Sequence, residues 1–171
     1  MVWRMKQTVS AEDAMGQKGW PGLRGRLFHF YFLMARPMTL GVRGLVHDTA
    51  QNSVLLVRHT YVPGWQLPGG GVEPGETAGE ALERELREEG NIAMTAPPVL
   101  KSLHFNRRAS RRDHVALYLV ESFRQTVPKL PDREIAEAGF FRLNRLPEQT
   151  TPATQRRIAE IFGGAPASPD W

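Results

Sequence analysis

Three glutamates within five residues, Glu85, Glu88 and Glu89, are the side chains here best placed to do chemistry. They close the stretch 65–92, WQLPGGGVEPGETAGEALERELREEGNI, downstream of three consecutive glycines. Thr77 with Glu80 three residues later forms a capping box, which starts a helix at about Ala78. At about 100° per residue, Ala78, Ala81, Leu82, Glu85 and Glu89 share one side of that helix, while Glu80, Glu83 and Arg87 take the other. The outward set is ordinary, since Glu83–Arg87 and Glu80–Arg84 are i, i+4 pairs of favourable orientation. The inward set puts two carboxylates on the face that should meet the core, with Glu88 at their border. Burying unpaired charge is costly, and Glu88 and Glu89 also occupy the last turn, where the negative end of the helix dipole repels anions. A divalent cation would offset both costs, and a cluster of oxygen ligands suits Mg²⁺ or Mn²⁺ better than zinc. Without a cation, mutual repulsion should raise the proton affinity of the cluster. Gly69, Gly70 and Gly71 let the backbone approach a ligand or ion closely, because no side chain obstructs it.

The elements that must position these groups are legible around them. Residues 38–47 and 53–59 are rich in Val, Leu and Thr and read as a hairpin. Residues 99–105 and 114–123 make a second strand pair joined by an arginine-rich loop, and 139–143 is one more short strand. Thr151 before Pro152 is an N-cap followed by a proline-tolerant first position, with Ile158, Ile161 and Phe162 at helical spacing before Gly163 stops the helix. Residues 23–35 predict a short aromatic helix that ends where Pro37 disfavours it. The last nine residues, GGAPASPDW, predict a mobile tail. The organisation expected is an extension over 1–37, a domain over 38–162 and the tail over 163–171.

Composition bounds the partners. The chain has 171 residues, 41% hydrophobic and 23% charged, which suits one globular domain and excludes collagen, coiled coil and wholesale disorder. The net charge of +4 arises wholly in residues 1–40, with six basic and two acidic groups, and the remainder is balanced. A general nucleic-acid surface would need a basic body, so no DNA partner is expected. There is no cysteine, hence no disulfide framework and no thiolate metal site. No secretory h-region or stretch of about 20 apolar residues occurs, so the expectation is a soluble cytoplasmic protein without stable membrane insertion. Phosphate-loop, dinucleotide-fold, serine-elbow and H-E-x-x-H signatures are all missing.

The stretch resembles the signature of the Nudix hydrolase family. Gly70 is followed after five residues by Glu76, and after seven more by Arg84, Glu85, Leu86, Arg87, Glu88 and Glu89, with Ile92 closing. Asn91 stands where the family has its final glycine, a mild departure because Asn best replaces Gly in a left-handed position after a helix. The resemblance implies an α/β Nudix fold, a mixed sheet sandwiched between helices, carrying here an N-terminal helical extension. It implies a divalent-metal-dependent pyrophosphohydrolase that cleaves a nucleoside diphosphate linked to another moiety. By position, Glu85, Glu88 and Glu89 would bind metal with the carbonyl of Gly69, and Arg84 with Glu76 would form a supporting salt bridge. Glu85 or Glu88 could take the water's proton, with Glu134 and Glu137 as outside candidates. Extensions like 1–37 can help form a homodimer in this family or cover the substrate pocket.

For the substrate, a small nucleotide is expected. Arg107, Arg108, Arg111 and Arg112 crowd one loop and suit phosphate, either as a clamp or as a solvated hairpin tip. Arg58, His59, Tyr61 and Trp65 flank the glycine turn beside Gly70; one ring there could stack on a base, although Trp65 reads better as core. The reaction class leaves open a nucleotide sugar, ADP-ribose, a nucleoside triphosphate or a dinucleoside polyphosphate. Two other readings stand beside it, a noncatalytic nucleotide sensor and an RNA 5′-pyrophosphohydrolase.

Overall fold

The computed structural model describes residues 37–171 together with Tyr31 and Met34. The aromatic helix expected over 23–35 therefore lies outside the described residues, apart from Tyr31 and Met34, which are helical. The elements in chain order are β1 (Thr39–Asp48), β2 (Ser53–His59), α1 (Ala78–Gly90), β3 (Ile92–Met94), β4 (Val99–Phe105), β5 (Asp113–Val120), β6 (Phe123–Gln125), β7 (Ile135–Arg142) and α2 (Pro152–Phe162). Five strands form one mixed sheet in the order β4-β5-β1-β2-β7, in which β1 and β5 run parallel and the other neighbours antiparallel. β3 and β6 make a separate two-stranded ribbon.

Alternation along the strands explains why a helix covers each face. On β1 and β2, Val42, Val46 and Leu55 pack with Ala81, Leu82 and Leu86 of α1, whereas Leu45, Val54 and Leu56 pack with Ile158 of α2. The sheet is thus sandwiched as expected. Trp65 belongs to the second cluster, edge-on to Phe141 at 4.7 Å, and is core rather than a stacking platform. Leu86 is fully buried and adds a large apolar residue to the inward face of α1 that the Ala and Leu pattern alone had left out.

β1 and β2 pair only near their shared turn, at His47–Val54 and Asp48–Ser53, and then diverge. The segment carrying the glycines enters that gap. Gln66 bonds Val57 of β2 in both directions, while Gly70 and Pro68 carbonyls accept from Val42 and Gly44 of β1 and Val72 N–H donates to Leu40. The glycine turn is therefore pinned to the central strand and faces the helix that follows it.

The capping box at Thr77 and Glu80 forms as the sequence predicts. Asn91 ends α1 in the left-handed region at φ 52°, the conformation for which Asn is the best replacement of Gly. Thr151 caps α2, which ends at Gly163. Three strand limits differ from the sequence reading. The 114–123 run breaks after Val120 into β5 and β6, β7 begins earlier at Ile135, and the three residues of β3 carry too little pattern to be seen.

The tail is the larger correction. Composition predicts mobility over 163–171, yet Phe105 N–H donates to Pro169 O, Trp171 N–H donates to Phe105 O, and Arg157, fully buried, donates to Asp170 O. Trp171 also lies edge-on to His104 with the Arg157 guanidinium over its ring. Small residues permit this course because they let the backbone lie against the β4 edge. The partners that hold it come from β4 and α2, which a local reading of nine residues does not contain.

Gly44 on β1 is where α1 comes closest to the sheet. A Cβ there would stand 2.8 Å from Leu86 Cδ2 and 3.2 Å from Leu82 Cδ1. Gly44→Val should overpack this contact and lower stability by about 1–3 kcal/mol in urea unfolding. A change within about 0.5 kcal/mol, the size of an ordinary surface effect, would contradict this packing.

Candidate active site

The acid helix and the glycine turn meet through backbone and carboxylate. Glu89 is buried, and its Oε2 accepts from Gly69 N–H at 2.7 Å. Gly69 adopts φ 136°, and a Cβ there would collide with the Val42 carbonyl, so the close approach requires glycine. A Cβ on Gly70 would collide with the Glu85 carboxylate. Both glycines are thus explained by what passes against them.

Arg84 ties the second half together. It donates through Nη2 to Glu76 Oε1 at 2.9 Å and Gly71 O at 3.1 Å, through Nε to Glu76 Oε2 at 3.3 Å, and through Nη1 to Glu85 Oε1 at 2.7 Å. The Arg84–Glu76 ion pair implied by the resemblance is present, and Arg84 does not take Glu80, which caps Thr77 instead. Its hydrogen bonds hold the Glu76 carboxyl below the usual range and push the Arg84 guanidinium up. Glu88 is different: its side chain is 61% exposed, and it reaches Arg84 Nη1 at only 3.6 Å.

Glu85 and Glu89 line one cavity of about 300 Å³ with Arg43, His59, Tyr61, Gly69 and Glu134. Glu88 joins Glu85, Glu89 and Glu134 in lining a neighbouring hollow. Ligand atoms of His59, Glu89 and Glu134 lie within 4.8 Å of one another. Glu134 reaches this place because Asp132 accepts from the backbone N–H groups of Glu134 and Ile135 and so folds the loop before β7. Tyr61 then donates its hydroxyl to Glu134 Oε1 at 3.0 Å. The other outside candidate, Glu137, is drawn away by Arg58 at 3.0 Å.

Arg43 carried no role in the sequence reading, and His59 entered it only among the residues flanking the glycine turn. Arg43 projects from β1 and donates Nη1 to the carbonyls of Leu67 and Gly69. Burial pushes its pKa down, and the nearby Glu89 and Glu85 charges oppose that. A charged residue within a run of Gly, Val and Leu was the available signal. His59, at the end of β2, is buried with Nε2 3.4 Å from Glu89 Oε1 and with no hydrogen-bond partner for Nδ1 among the described residues. Burial, then the Arg43 charge, lowers its pKa, so it stays neutral and can accept at one ring nitrogen.

The arginines predicted to hold substrate lie elsewhere. Arg58 sits over the Trp65 ring and on Glu137. Arg107 pairs with Asp170 at 2.9 Å, and Arg107 and Arg108 line a cavity with Trp171, away from the acids. Arg111 and Arg112 are exposed and line neither cavity next to the acids.

The donor set fits a hard divalent cation. Among the described residues, Glu89 Oε1 carries only the long approach of His59, each carboxylate oxygen has a second lone pair, and the Gly69 carbonyl keeps one beside its bond from Arg43. The chain has no cysteine and so no thiolate ligand, and the acids at the site offer oxygen, which favours oxygen-preferring ions. The proton affinity of Glu89 is raised, to about pKa 7, but burial is the largest cause and the Glu85 charge a lesser one. The mutual repulsion expected from the sequence is thus the smaller effect, because Arg84 and Arg43 stand among the acids.

The part of the chain that carries these residues matches known proteins. A family model described as NUDIX domain matches residues 37–161. A Bacillus subtilis (strain 168) protein with the provisional name 8-oxo-dGTP diphosphatase is 53% identical over 129 residues, covering 74% of this chain and 82% of that protein. An RNA pyrophosphohydrolase of Serratia proteamaculans (strain 568) is 41% identical over 59 residues, about a third of each chain. The crystal structure of a MutT NUDIX hydrolase from Burkholderia pseudomallei superposes with a TM-score of 0.62 at 25% identity, covering 72% of this chain and 98% of that one.

The raised pKa of Glu89 has a definite sign for stability. The folded, metal-free protein holds the Glu89 proton more tightly than the unfolded chain does, so this contribution is fully present below about pH 4.5 and is lost as pH rises through about 7. Glu89→Gln keeps an acceptor for Gly69 N–H without the charge. In chelator it should be more stable than the parent by about 2 kcal/mol at pH 8 and differ little near pH 5. An equal difference at both pH values, read by urea unfolding, would contradict the buried charge.

Proposed function

The chain belongs to the NUDIX-domain family and is a phosphoanhydride hydrolase, and from that premise we propose that it cleaves nucleoside triphosphates at Glu85, Glu89 and Glu134 with Mg²⁺ or Mn²⁺. One observation carries the site assignment: a buried carboxylate, Glu89, set on the backbone of the glycine turn beside Glu85 and opposite Glu134. The triphosphate reading follows the relative named for 8-oxo-dGTP, matched over most of its length, whereas the RNA-directed relative is matched over about a third. The sensor reading loses ground because a pure binder has no use for carboxylates held at such cost.

Glu85, Glu89 and the Gly69 carbonyl would hold the cation, with Glu88 reaching in from the rim. A divalent cation bound there supplies neutralisation of phosphate charge and activation of a water. Glu134, oriented by the Tyr61 hydroxyl, accepts the proton of the attacking water. The water oxygen bonds to phosphorus as the bridging P–O bond breaks, and the departing phosphate leaves with the electron pair. Arg84 keeps Glu85 and the glycine turn in register through Glu76 and Gly71.

The test is product release from a panel of nucleoside triphosphates, including oxidised guanine nucleotides, beside nucleotide sugars, ADP-ribose and 5′-triphosphorylated RNA. Triphosphate hydrolysis dependent on divalent cation is expected, falling at least about a hundredfold in Glu89→Gln with the fold retained. Full turnover by that variant would remove Glu89 from the chemistry, and preference for RNA would overturn the triphosphate reading.

A further inference from the structure

The docked tail and the arginine-rich loop border a cavity of about 530 Å³, with Phe105, Arg107, Arg108, Arg156, Asp170 and Trp171 in its wall. It shares no lining residue with the acid cavity or with the hollow at Glu88. We propose that this cavity is a second binding site, for a nucleoside phosphate, with the phosphate on the three arginines and the base on the Trp171 ring. The proposal goes beyond the hydrolase reading and does not depend on it.

The aromatic wall is fixed before any ligand arrives. Arg157, fully buried, donates to Glu160 Oε1 at 2.6 Å and to Asp170 O at 3.1 Å, and Ser168 N–H donates to the same Glu160 oxygen at 3.0 Å. Trp171 is held on either side of its own Cα, its N–H on Phe105 O and its carbonyl receiving Arg156 Nη2 at 2.9 Å. A ring ordered in this way costs a ligand little further ordering. Phe105 is already engaged, with the Arg107 guanidinium over its ring at 5.2 Å and His114 stacked on it at 5.3 Å. Trp171 is thus the aromatic in the wall that can take a base, and its Nε1–H makes no hydrogen bond among the described residues.

The cations are positioned without being used up. Arg107 gives Nε to Asp170 Oδ1 at 2.9 Å and Arg156 gives Nη2 to Trp171 O, while their other guanidinium nitrogens make no hydrogen bond among the described residues. Arg108 is exposed and has no hydrogen bond or ion pair among them. Three cations and one carboxylate side chain therefore line one cavity, and an anion relieves the repulsion between like charges. Planar forks with open donors match phosphate oxygens.

The scale of the site favours a small ligand over a nucleic-acid strand. The volume is that of a small-molecule site. Arg111 and Arg112, on the same loop, do not line it, and the charge beyond residue 40 is balanced. That makes a local cluster of cations rather than the basic stripe a strand requires.

The test is indole N–H NMR of the full chain in chelator, with the Trp171 signal assigned by Trp171→Phe. The ligands titrated are adenosine 5′-monophosphate, adenosine, ribose 5-phosphate and inorganic phosphate. Adenosine 5′-monophosphate should shift the Trp171 signal saturably and bind at least about tenfold tighter than any of the other three. Arg108→Ala, checked by thermal melting, should weaken that binding about tenfold or more, whereas Arg111→Ala, outside the cavity, should stay within about twofold. The shift should persist in Glu89→Gln, which alters the acid cavity. The assignment is overturned by a Trp171 signal that does not move, by equal binding of any of the other three ligands, by undiminished binding in Arg108→Ala or by loss of the shift in Glu89→Gln. Tighter binding of a single-stranded oligoribonucleotide without a terminal phosphate would overturn it as well, in favour of a strand.

Discussion

The contact between the Glu89 carboxylate and the Gly69 backbone is the constraint on which the rest of the site depends. It brings the last turn of α1 against a turn pinned to the central strand, and it does so by placing a charge where water is largely excluded. Each neighbouring feature answers to that placement. The glycines clear the approach, Gly44 lets α1 lie close to β1, and the divergence of β1 from β2 makes the gap that the turn occupies. A carboxylate in that position is destabilising by itself and useful only with a partner of opposite charge.

The partners differ in what they can do. Arg84 is on the helix and commits its donors to Glu76, Glu85 and Gly71, so it fixes geometry. Arg43 is on the strand and commits one nitrogen, so it fixes the turn while keeping donors open to the cavity. Together they lower the repulsion among the acids without neutralising Glu89 itself, whose burial still dominates its proton affinity. That residual imbalance is what a cation would relieve, and it links the stability of the metal-free protein to its chemistry.

Local pattern made much of this readable. The capping box gave the start of α1, the spacing gave the inward acids, and Asn91 marked the helix end, because each depends on residues within a turn of one another. The face of α1 was less complete, since Leu86 reads ambiguously until the sheet is there to cover it. What was not readable is contact between distant segments. Glu134 joins the acids only because Asp132 folds its loop, and Glu137 is lost to Arg58 across the β2–β7 pair. Arginine density in the 106–112 loop suggested phosphate, yet a charge count cannot tell a loop that faces the acids from one that holds the tail at Asp170. Arg43 was the reverse case: one cation in an apolar strand carried little weight in the sequence and stands at the centre of the site.

The central claim is that the buried Glu89 carboxylate is kept for a divalent cation, and direct ion binding tests it without reference to any substrate. Mn²⁺ titration followed by electron paramagnetic resonance on the chelator-treated chain, with and without Glu89→Gln, is the measurement. The account predicts saturable Mn²⁺ binding to the parent chain, weakened at least about tenfold in the variant, as expected when a ligand rather than a surface charge is lost. Equal affinity in both would contradict it, and Glu89 would then be a carboxylate buried for the glycine turn alone.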